Sequence, residues 1–562
     1  MGAAYGADRG VRHHVPLLRH DADMNPSGLP IPDSASLVRL LGLGPTAARG
    51  ALRARLSPPL DPRSNARLLA ALNRWGTTPA LGYAGGAARH PDEPAVVDLD
   101  DPLETVTFAE AEHRTRAAAT ALLDRGYGPG TRVGLLGRNS RAYTEALAAI
   151  GRTGADTYYL NTGHSAAQIA RIAEREGITE YLADPSLADR CPPSATVSLA
   201  GGDWEGFATG AVTAPDKPPA TGRHVILTSG TTGVPRGASR TSAPIESVVA
   251  LLEGFPFKQR DTHLIAAPLF HAWGWMHHRL CALLDSTQIL LRRPDPLRVL
   301  QVAAERRVPV IVTVPVVAQR MAQLPPEQTA DLDLSALRVV AISGAPMPPP
   351  LVRRFSDRYG DVLYNLYGST EAAFATVATP DDLRDDPGSA GRPLPGVNVA
   401  ILDDDDRELP PERSGRIFVG STTSFEGYTD GSDRNRVGGL VWTGDLGVID
   451  EHGRLRVMGR VDDVMIIGGE NVHPLEIEEV LRHHPAVLDV AVVPRSDPDF
   501  GQRAVAHVVL DGDPEDGFAA QFLAWAADRL APAQRPAAVV VHEALPRNAA
   551  GKVLRRDLQQ PE

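Results

Sequence analysis

The sequence predicts an α/β protein with a large N-terminal part and a smaller C-terminal α+β part. Three observations carry this reading. The 562 residues exceed the roughly 150 that one domain usually holds. Beyond Trp75, short apolar runs alternate with helical patterns, and near Gly459 that pattern changes. An apolar share of 43% with 22% charged residues is ordinary globular composition.

Residues 1 to 34, punctuated by Gly2, Gly6, Gly10, Pro16, Pro26, Pro30 and Pro32, show no sustained periodicity and read as a disordered or loosely packed extension. From residue 1 to Trp75 ten arginines face five aspartates. Leu37, Leu40, Leu41 and Leu52, with Arg39, Arg49, Arg53 and Arg55, predict short amphipathic helices there. Such a basic segment can lie on an anionic membrane or pack against the main domain. Arg132 to Leu136 (RVGLL) reads as a buried strand and Ser140 to Arg152 as the helix after it. Strands recur at Val310 to Val314, following a helix around Leu300, and at Leu337 to Ile342, and Leu455 to Met458 is strand-like. Then come a helix at Pro474 to Arg482, strands at Val487 to Val493 and Ala504 to Leu510, a helix at Phe518 to Leu530 and a strand at Ala537 to Val541. These last segments make about 100 residues with their own core, joined at Arg460 to Asp463. The expected division is therefore an extension over 1–34, a large domain over 35–460 and a small one over 461–562.

The balance of 57 Lys plus Arg against 69 Asp plus Glu leaves a formal charge of −12, which argues against bulk binding to a nucleic-acid backbone. No apolar run approaches the roughly 18 residues of a membrane-spanning helix, and the N-terminus lacks signal-peptide order. A cytosolic protein is expected. Two cysteines, Cys191 and Cys281, cannot build a disulfide framework. Lysine occurs only at Lys217, Lys258 and Lys552, so the other 54 basic residues are arginine. Where arginine is the default cation, a remaining lysine is a candidate for work that needs a compact point charge.

The segment Ile226 to Ala238 (ILTSGTTGVPRGA) follows an apolar strand start. Thr228, Ser229, Gly230, Thr231, Thr232 and Gly233, with Arg236 close behind, allow tight turns and present N–H and hydroxyl donors to polyphosphate oxygens. The GxxxxGK[ST] spacing of a P-loop is absent.

This segment resembles the signature loop of the adenylate-forming superfamily, which holds acyl-CoA synthetases, luciferases and peptide-synthetase adenylation domains. Tyr367 to Ala372 (YGSTEA), Thr443 to Asp450 (TGDLGVID), Gly459 to Glu478 (GRVDDVMIIGGENVHPLEIE) and Leu545 to Arg555 (LPRNAAGKVLR) resemble its other motifs, in its order and spacing. With weaker similarity upstream, the resemblance spans residues from about 80 to 560. It implies a multi-subdomain α/β domain and a small mobile lid domain carrying Lys552. It also implies attack of a carboxylate on the α-phosphate of ATP, loss of pyrophosphate, and transfer of the acyl group to CoA. Two anions must meet in that step, so cations, a metal and fixed donors are needed.

By resemblance, Glu371 and Thr228 hold Mg2+, a hard ion suited to one carboxylate and several phosphate oxygens, and Thr370 assists. Gly344, Ala345 and Pro346 pack on one face of adenine, with Tyr367 and Gly368 on the other. Asp445 accepts from the ribose hydroxyls, Arg460 contacts ribose and phosphate, and Lys552 bridges the carboxylate and the α-phosphate. Arg236 stands where the family usually has lysine. Asp462 resembles the hinge, and Gly468, Gly469 and Glu470 the stretch that lines the CoA path once the lid has rotated. His271, in Pro268 to Gly274 (PLFHAWG), flanks the carboxylate and gates the thiol. His277 and His278 point to different sides of a helix with no cysteine or acidic partner, and read as structural.

The implied acyl pocket runs past Trp273, Gly274, Val314, Pro315 and Ser343. These apolar or small residues favour a fatty acid over an amino acid. The GGENV stretch and the long extension look most like actinobacterial medium- to long-chain fatty-acyl-CoA synthetases. Two rivals stand beside that reading: an enzyme that activates an aryl acid or nitrite and passes it to an amine, and a nucleotide sensor without catalysis. Thr228, Glu371, Asp445 and Lys552 speak against the sensor. A homo-oligomer is compatible with the sequence.

Overall fold

A computed structural model describes residues 62–75, 78–199, 202–214, 220–228, 236–240, 245–421, 427–429, 431, 435–548 and 551–559. The expectations for the extension before residue 62 lie outside the described residues. Two largely parallel sheets form the body of the large part. One is nine-stranded, in the order Arg392–Pro393, Ala373–Ala378, Leu363–Ser369, Val339–Ile342, Val310–Thr313, Thr262–Ile265, Thr287–Leu290, Pro94–Asp98, Thr105–Thr107. Its central strands are apolar runs buried on both faces, as a parallel sheet covered by helices requires. The other sheet has six strands, with Arg132–Leu136 between Glu180–Ala183 and Asp156–Leu160 and the pair His224–Thr228 and Arg236–Arg240 at one edge.

The RVGLL run is the strand its composition predicts. The helix after it spans Arg141–Thr153, because Ser140 is its cap: the Ser140 hydroxyl accepts from the Tyr143 N–H, and Gly154, at φ 81°, ends it. Similarly Val314 leaves its expected strand, since Pro315 opens the helix Pro315–Gln323. Asn139 stitches the two sheets together. Its Nδ2 donates to the carbonyls of Ile265 at 3.2 Å and Ala267 at 2.9 Å, and its Oδ1 accepts from the Leu269 N–H at 2.9 Å. That fixes the backbone just ahead of His271.

A buried ionic cluster sits behind this junction. Glu145, with no side-chain exposure, accepts from Arg114 Nε at 2.7 Å, Arg141 Nη1 at 3.0 Å and Trp204 Nε1 at 2.8 Å. Arg141 also reaches Asp101 at 2.9 Å and Glu205 at 2.8 Å.

A five-stranded antiparallel sheet, containing Leu440–Ile449 and Leu455–Arg460, follows, and its register sets Asp445 directly opposite Arg460. The smaller part has its own core, formed by Met465, Ile477, Leu481, Val492, Ala506, Val508 and Phe522 among others. Strands Val487–Asp497, Gly501–Leu510 and Ala538–His542 build its sheet, with helices Pro474–Leu481 and Phe518–Ala527 packed on it. Within it Glu478 is buried and accepts from Arg555 Nη1 at 2.6 Å, Arg482 Nη2 at 3.0 Å and the Val492 N–H at 2.8 Å.

Candidate active site

The corner expected to hold the phosphates forms where strand His224–Thr228 pairs antiparallel with Arg236–Arg240, which sets Thr228 opposite Arg236. Ser229, Gly230, Thr231, Thr232 and Gly233 lie outside the described residues. The Arg236 guanidinium stands 5.7 Å from the Tyr428 ring, and the Tyr428 hydroxyl donates to Glu371 Oε1 at 2.5 Å. Glu371 is buried at the tip of the hairpin Leu363–Ser369 and Ala373–Ala378, beside Thr370. Closing that short tip places Ala373 at φ 63°, in the left-handed region, and Gly368 so near the Ala373 carbonyl that a Cβ would lie 2.1 Å from it. Tyr428 was not among the residues read from sequence. It lies in a Gly-, Ser- and Asp-rich stretch without periodicity, and only the fold brings it to Glu371.

The corner expected to hold the nucleoside joins three predicted residues. The Tyr367 hydroxyl donates to Asp445 Oδ2 at 2.7 Å, and Arg460 Nη1 lies 3.5 Å from Asp445 Oδ1. Burial raises the Asp445 carboxyl, against the lowering influence of Arg460, of the Tyr367 hydroxyl and of Lys552. Strand Val339–Ile342 ends at this corner with buried Ser343, then Gly344 at φ 101°, which explains glycine there.

Lys552 sits on a loop tied by its own backbone: Asn548 Oδ1 accepts from the Lys552 N–H at 2.9 Å, and the Asn548 N–H donates to the Lys552 carbonyl at 2.9 Å. Gly551 has φ 79°, and a Cβ on it would lie 2.3 Å from Val316 Cγ1 and 3.6 Å from Val314 Cγ2. The loop is therefore seated on the residues that follow the large part's central strand. Gln319 Nε2 adds a bond across the same junction to the Leu488 carbonyl at 2.9 Å. Lys552 is exposed as a residue, yet the surrounding protein and then Arg460 lower its ammonium, opposed by Asp463 and Asp445. Asp462 lies in the short turn Val461–Asp463, with its carboxylate 3.8 Å from Arg460 Nη2. Gly468 and Gly469, at φ 60° and 87°, form the two-residue turn of the hairpin that pairs Ile467 with Glu470. Ile466 and Phe500 flank it, 58% and 46% exposed.

On the side expected to hold the acyl group, His271 precedes the helix Ala272–Leu283 without a side-chain capping bond. Its Nε2 is buried without a hydrogen-bond partner, and burial, followed by His164, pushes its pKa down to about 4, so the ring is neutral near pH 7. Trp273 Nε1 donates to the Thr313 carbonyl at 3.1 Å, and a Cβ on Gly274 would lie 2.2 Å from the Pro268 carbonyl oxygen. Phe255 stacks on Phe257 at 4.9 Å and lies 6.1 Å from Trp273 and 5.6 Å from Tyr364. The expectation that no cysteine accompanies His277 and His278 is corrected. Cys281 follows His277 by one helical turn, and strand Thr262–Ile265 supplies His263, so these three form one buried group with ligand atoms within 4.8 Å of one another. His278 turns the other way, with Nδ1 2.8 Å from Gln288 Oε1.

Residues 84–429 match the family described as AMP-binding enzyme, and residues 476–552 match the AMP-binding enzyme C-terminal domain. A feruloyl-CoA synthase of Amycolatopsis sp is 32% identical across 81% of this chain and 94% of its own length. A long-chain-fatty-acid–CoA ligase of Mycobacterium tuberculosis is 28% identical across 81% and 93%. Among solved structures, ATP-bound MatB from Rhodopseudomonas palustris superposes with a TM-score of 0.76 at 28% identity, over 85% of this chain and 98% of that one. The large domain with its smaller C-terminal companion matches the structures of adenylate-forming enzymes. The match of both parts, in one chain and in order, places this protein in the AMP-binding enzyme family as an ATP-dependent, AMP-forming acid–thiol ligase.

Proposed function

We propose that the protein converts a carboxylic acid with an apolar body, a fatty acid first of all, into its CoA thioester through an acyl adenylate. The observation that carries this reading is the seat of the Lys552 loop. It rests on Val314 and Val316, beside the expected acyl wall, while Lys552 interacts electrostatically with Asp445 and Arg460 at the nucleoside corner. A cation held there faces the acid on one side and the nucleotide on the other, which is what attack of one anion on another requires. Tyr367 and Asp445 would orient the nucleoside. Buried Glu371, an oxygen donor next to the phosphate loop, suits Mg2+, and with Thr228 and Thr370 it would hold that ion, which neutralises phosphate charge when bound. For the second step Lys552 must leave, and Asp462 in its exposed turn is the place for that rotation. The Gly468–Gly469 turn would then line the path of CoA. Neutral His271 can stand at the thiol's entry without pairing to the carboxylate.

The aromatic wall of Phe255, Trp273 and Tyr364, with the feruloyl-CoA synthase likeness, favours a second form of the acid, an aryl acid. We place the protein in the cytosol. No helix among the described residues is long and apolar enough to cross a membrane, and the basic segment before Trp75 is the part that would meet an anionic bilayer. One assay tests the function. ATP, Mg2+, CoA and a panel of fatty and aryl acids are expected to give AMP and an acyl-CoA by mass spectrometry. An amide formed with an added amine, and no thioester, would point to the biosynthetic rival.

The loop seat gives a separate prediction. Gly551→Ala adds a Cβ against Val316 and an L-residue at φ 79°. Acid-dependent pyrophosphate exchange is expected to fall roughly tenfold to a hundredfold, as for a catalytic group displaced by about 1 Å, with little change in unfolding temperature. Unchanged exchange would show that the seat does not position Lys552.

A further inference from the structure

The roles above leave a cluster of four arginines unused. Arg138, Arg292, Arg293 and Arg298 line an open cleft of about 500 Å³, and Asp100 is the one carboxylate among its lining residues. In a chain of net charge −12 this is a local excess of positive charge. Arg292 is anchored: its guanidinium bonds Asp184, a carboxylate 4% exposed, and its N–H donates to Asp100 Oδ2 at 3.0 Å. Arg298 Nη1 stands 3.4 Å from the Glu305 carboxylate. Among the described residues the Arg138 and Arg293 guanidinia have neither a hydrogen bond nor an ion pair. An unpaired arginine on a convex surface is ordinary, because water solvates it. Two unpaired guanidinia beside two more on the walls of a concavity instead focus a field that attracts an anion.

The cleft also lies where this class of fold binds ligands. Its walls follow the carboxyl ends of four strands from both large sheets: Leu99 after Pro94–Asp98, Arg138 after Arg132–Leu136, Ser186 after Glu180–Ala183, and Leu291 to Arg293 after Thr287–Leu290. Crevices outside the carboxyl ends of parallel strands are the usual ligand sites of α/β sheets. In the nine-stranded sheet, neighbouring parallel strands run from Val339–Ile342 through Val310–Thr313 and Thr262–Ile265 to Thr287–Leu290 and Pro94–Asp98. Ser343 follows the first of these and His271 comes after the third. The arginine cleft follows the last two, about 5 and 10 Å to the side of the third at one strand spacing each. Asn139, next to Arg138, holds the backbone ahead of His271. The cleft is thus a second site on the same rim, across the strand of His271 from the corner expected to hold the nucleoside.

We infer that this cleft binds the phosphate of a nucleotide through Arg138 and Arg293, while Leu99 and Leu291 offer apolar surface to the base. A phosphomonoester carries about −1.5 to −2 charges near pH 7, which matches two unpaired guanidinia better than a single carboxylate does. The planar fork of arginine also pairs bidentately with phosphate oxygens. A space of about 500 Å³ is the size of a pocket for an organic ligand, so the phosphate arrives on a larger body. Two sources share that chemistry: the 3′-phosphate of CoA, and a free phosphorylated nucleotide acting as a regulator. The first rests on the ligase reading. A pantetheine arm, as long as about five extended residues, spans roughly 17 Å, enough to cross the one or two strand spacings that separate the cleft from the strand of His271.

The test titrates the full chain calorimetrically with adenosine 3′,5′-bisphosphate, and with adenosine as the control. The bisphosphate is expected to bind and adenosine not to bind. The double variant Arg138→Ser, Arg293→Ser should weaken the bisphosphate at least tenfold, the scale of lost bonds to a charged group. Acid-dependent pyrophosphate exchange should stay unchanged, since neither arginine belongs to the adenylation site, and this also shows the variant to be folded. Arg293→Ser, at the more exposed position, carries the test alone if the double variant misfolds. Kinetics separate the sources. If the ligand is CoA, dephospho-CoA, which lacks only the 3′-phosphate, has a KM about tenfold higher in the wild type, and the double variant erases the difference. If the ligand is a regulator, the variant leaves both KM values alone, and the bisphosphate alters the exchange rate of the wild type only. Equal binding of the bisphosphate by wild type and double variant overturns the inference, and so does no binding together with an unchanged KM for CoA. Failure of every acid to support exchange removes the ligase reading instead. The titration, with circular dichroism as the check on folding, still decides the cleft.

Discussion

Lys552→Ala is expected to lower acid-dependent pyrophosphate exchange at least a hundredfold, with circular dichroism and thermal unfolding unchanged. Removing one preorganised group that stabilises developing charge costs about 10²–10³ in rate, and Lys552 on the Gly551 loop is the cation proposed to bridge acid and nucleotide. The fold should survive because Lys552 gives its backbone, not its side chain, to the bonds that hold the loop. Lys552→Arg is expected to fail nearly as badly. A guanidinium is a broad planar fork, whereas two oxyanions in a narrow site call for a compact charge on a flexible stem. Near-normal exchange by either variant would sink the assignment.

Glu145→Ala is expected to destabilise the large domain by about 3–5 kcal/mol, the usual cost of leaving buried charge uncompensated. The variant would strip one carboxylate from Arg114 and Arg141 and the acceptor from Trp204 Nε1. Glu205 and Asp101 remain beside the arginines but are more exposed, so they offset only part of the loss. Glu145→Gln keeps the shape and an acceptor and should cost less than Glu145→Ala. Urea unfolding followed by tryptophan fluorescence measures both, since Trp204 reports on the cluster. A midpoint within error of the wild type for Glu145→Ala would mean that the cluster is not a stabilising unit.

The residues that a reader of the sequence can find share one property: their signal is local. RVGLL is a strand because five contiguous residues say so, and Ser140 and Gly154 bracket the next helix by their side-chain chemistry. Tyr367, Glu371, Asp445, Arg460 and Lys552 were found through motifs, and the fold brings the first four to two adjoining corners. Lys552 was conspicuous because arginine fills nearly every other basic position. What was illegible joins residues far apart in the chain. Asn139 reaches the backbone ahead of His271, Tyr428 reaches Glu371, and His263 reaches His277, each by tertiary packing that no window of ten residues contains. The error about His277 arose in the same way. Adjacent histidines do diverge on a helix, but the relevant neighbours were Cys281 at the next turn and His263 on a strand.

The contact between Gly551 and Val316 links two properties that are usually engineered separately. Val314 and Val316 belong to the segment expected to shape the acid pocket, and they are also the floor on which the lysine loop rests. Enlarging either side chain to shorten the pocket lifts the loop, and trimming either to admit a bulkier acid loosens it. Attempts to broaden the acid repertoire at these positions will therefore meet a trade-off with turnover, and second-site changes that recover speed should cluster around Asn548 to Lys552 rather than in the pocket.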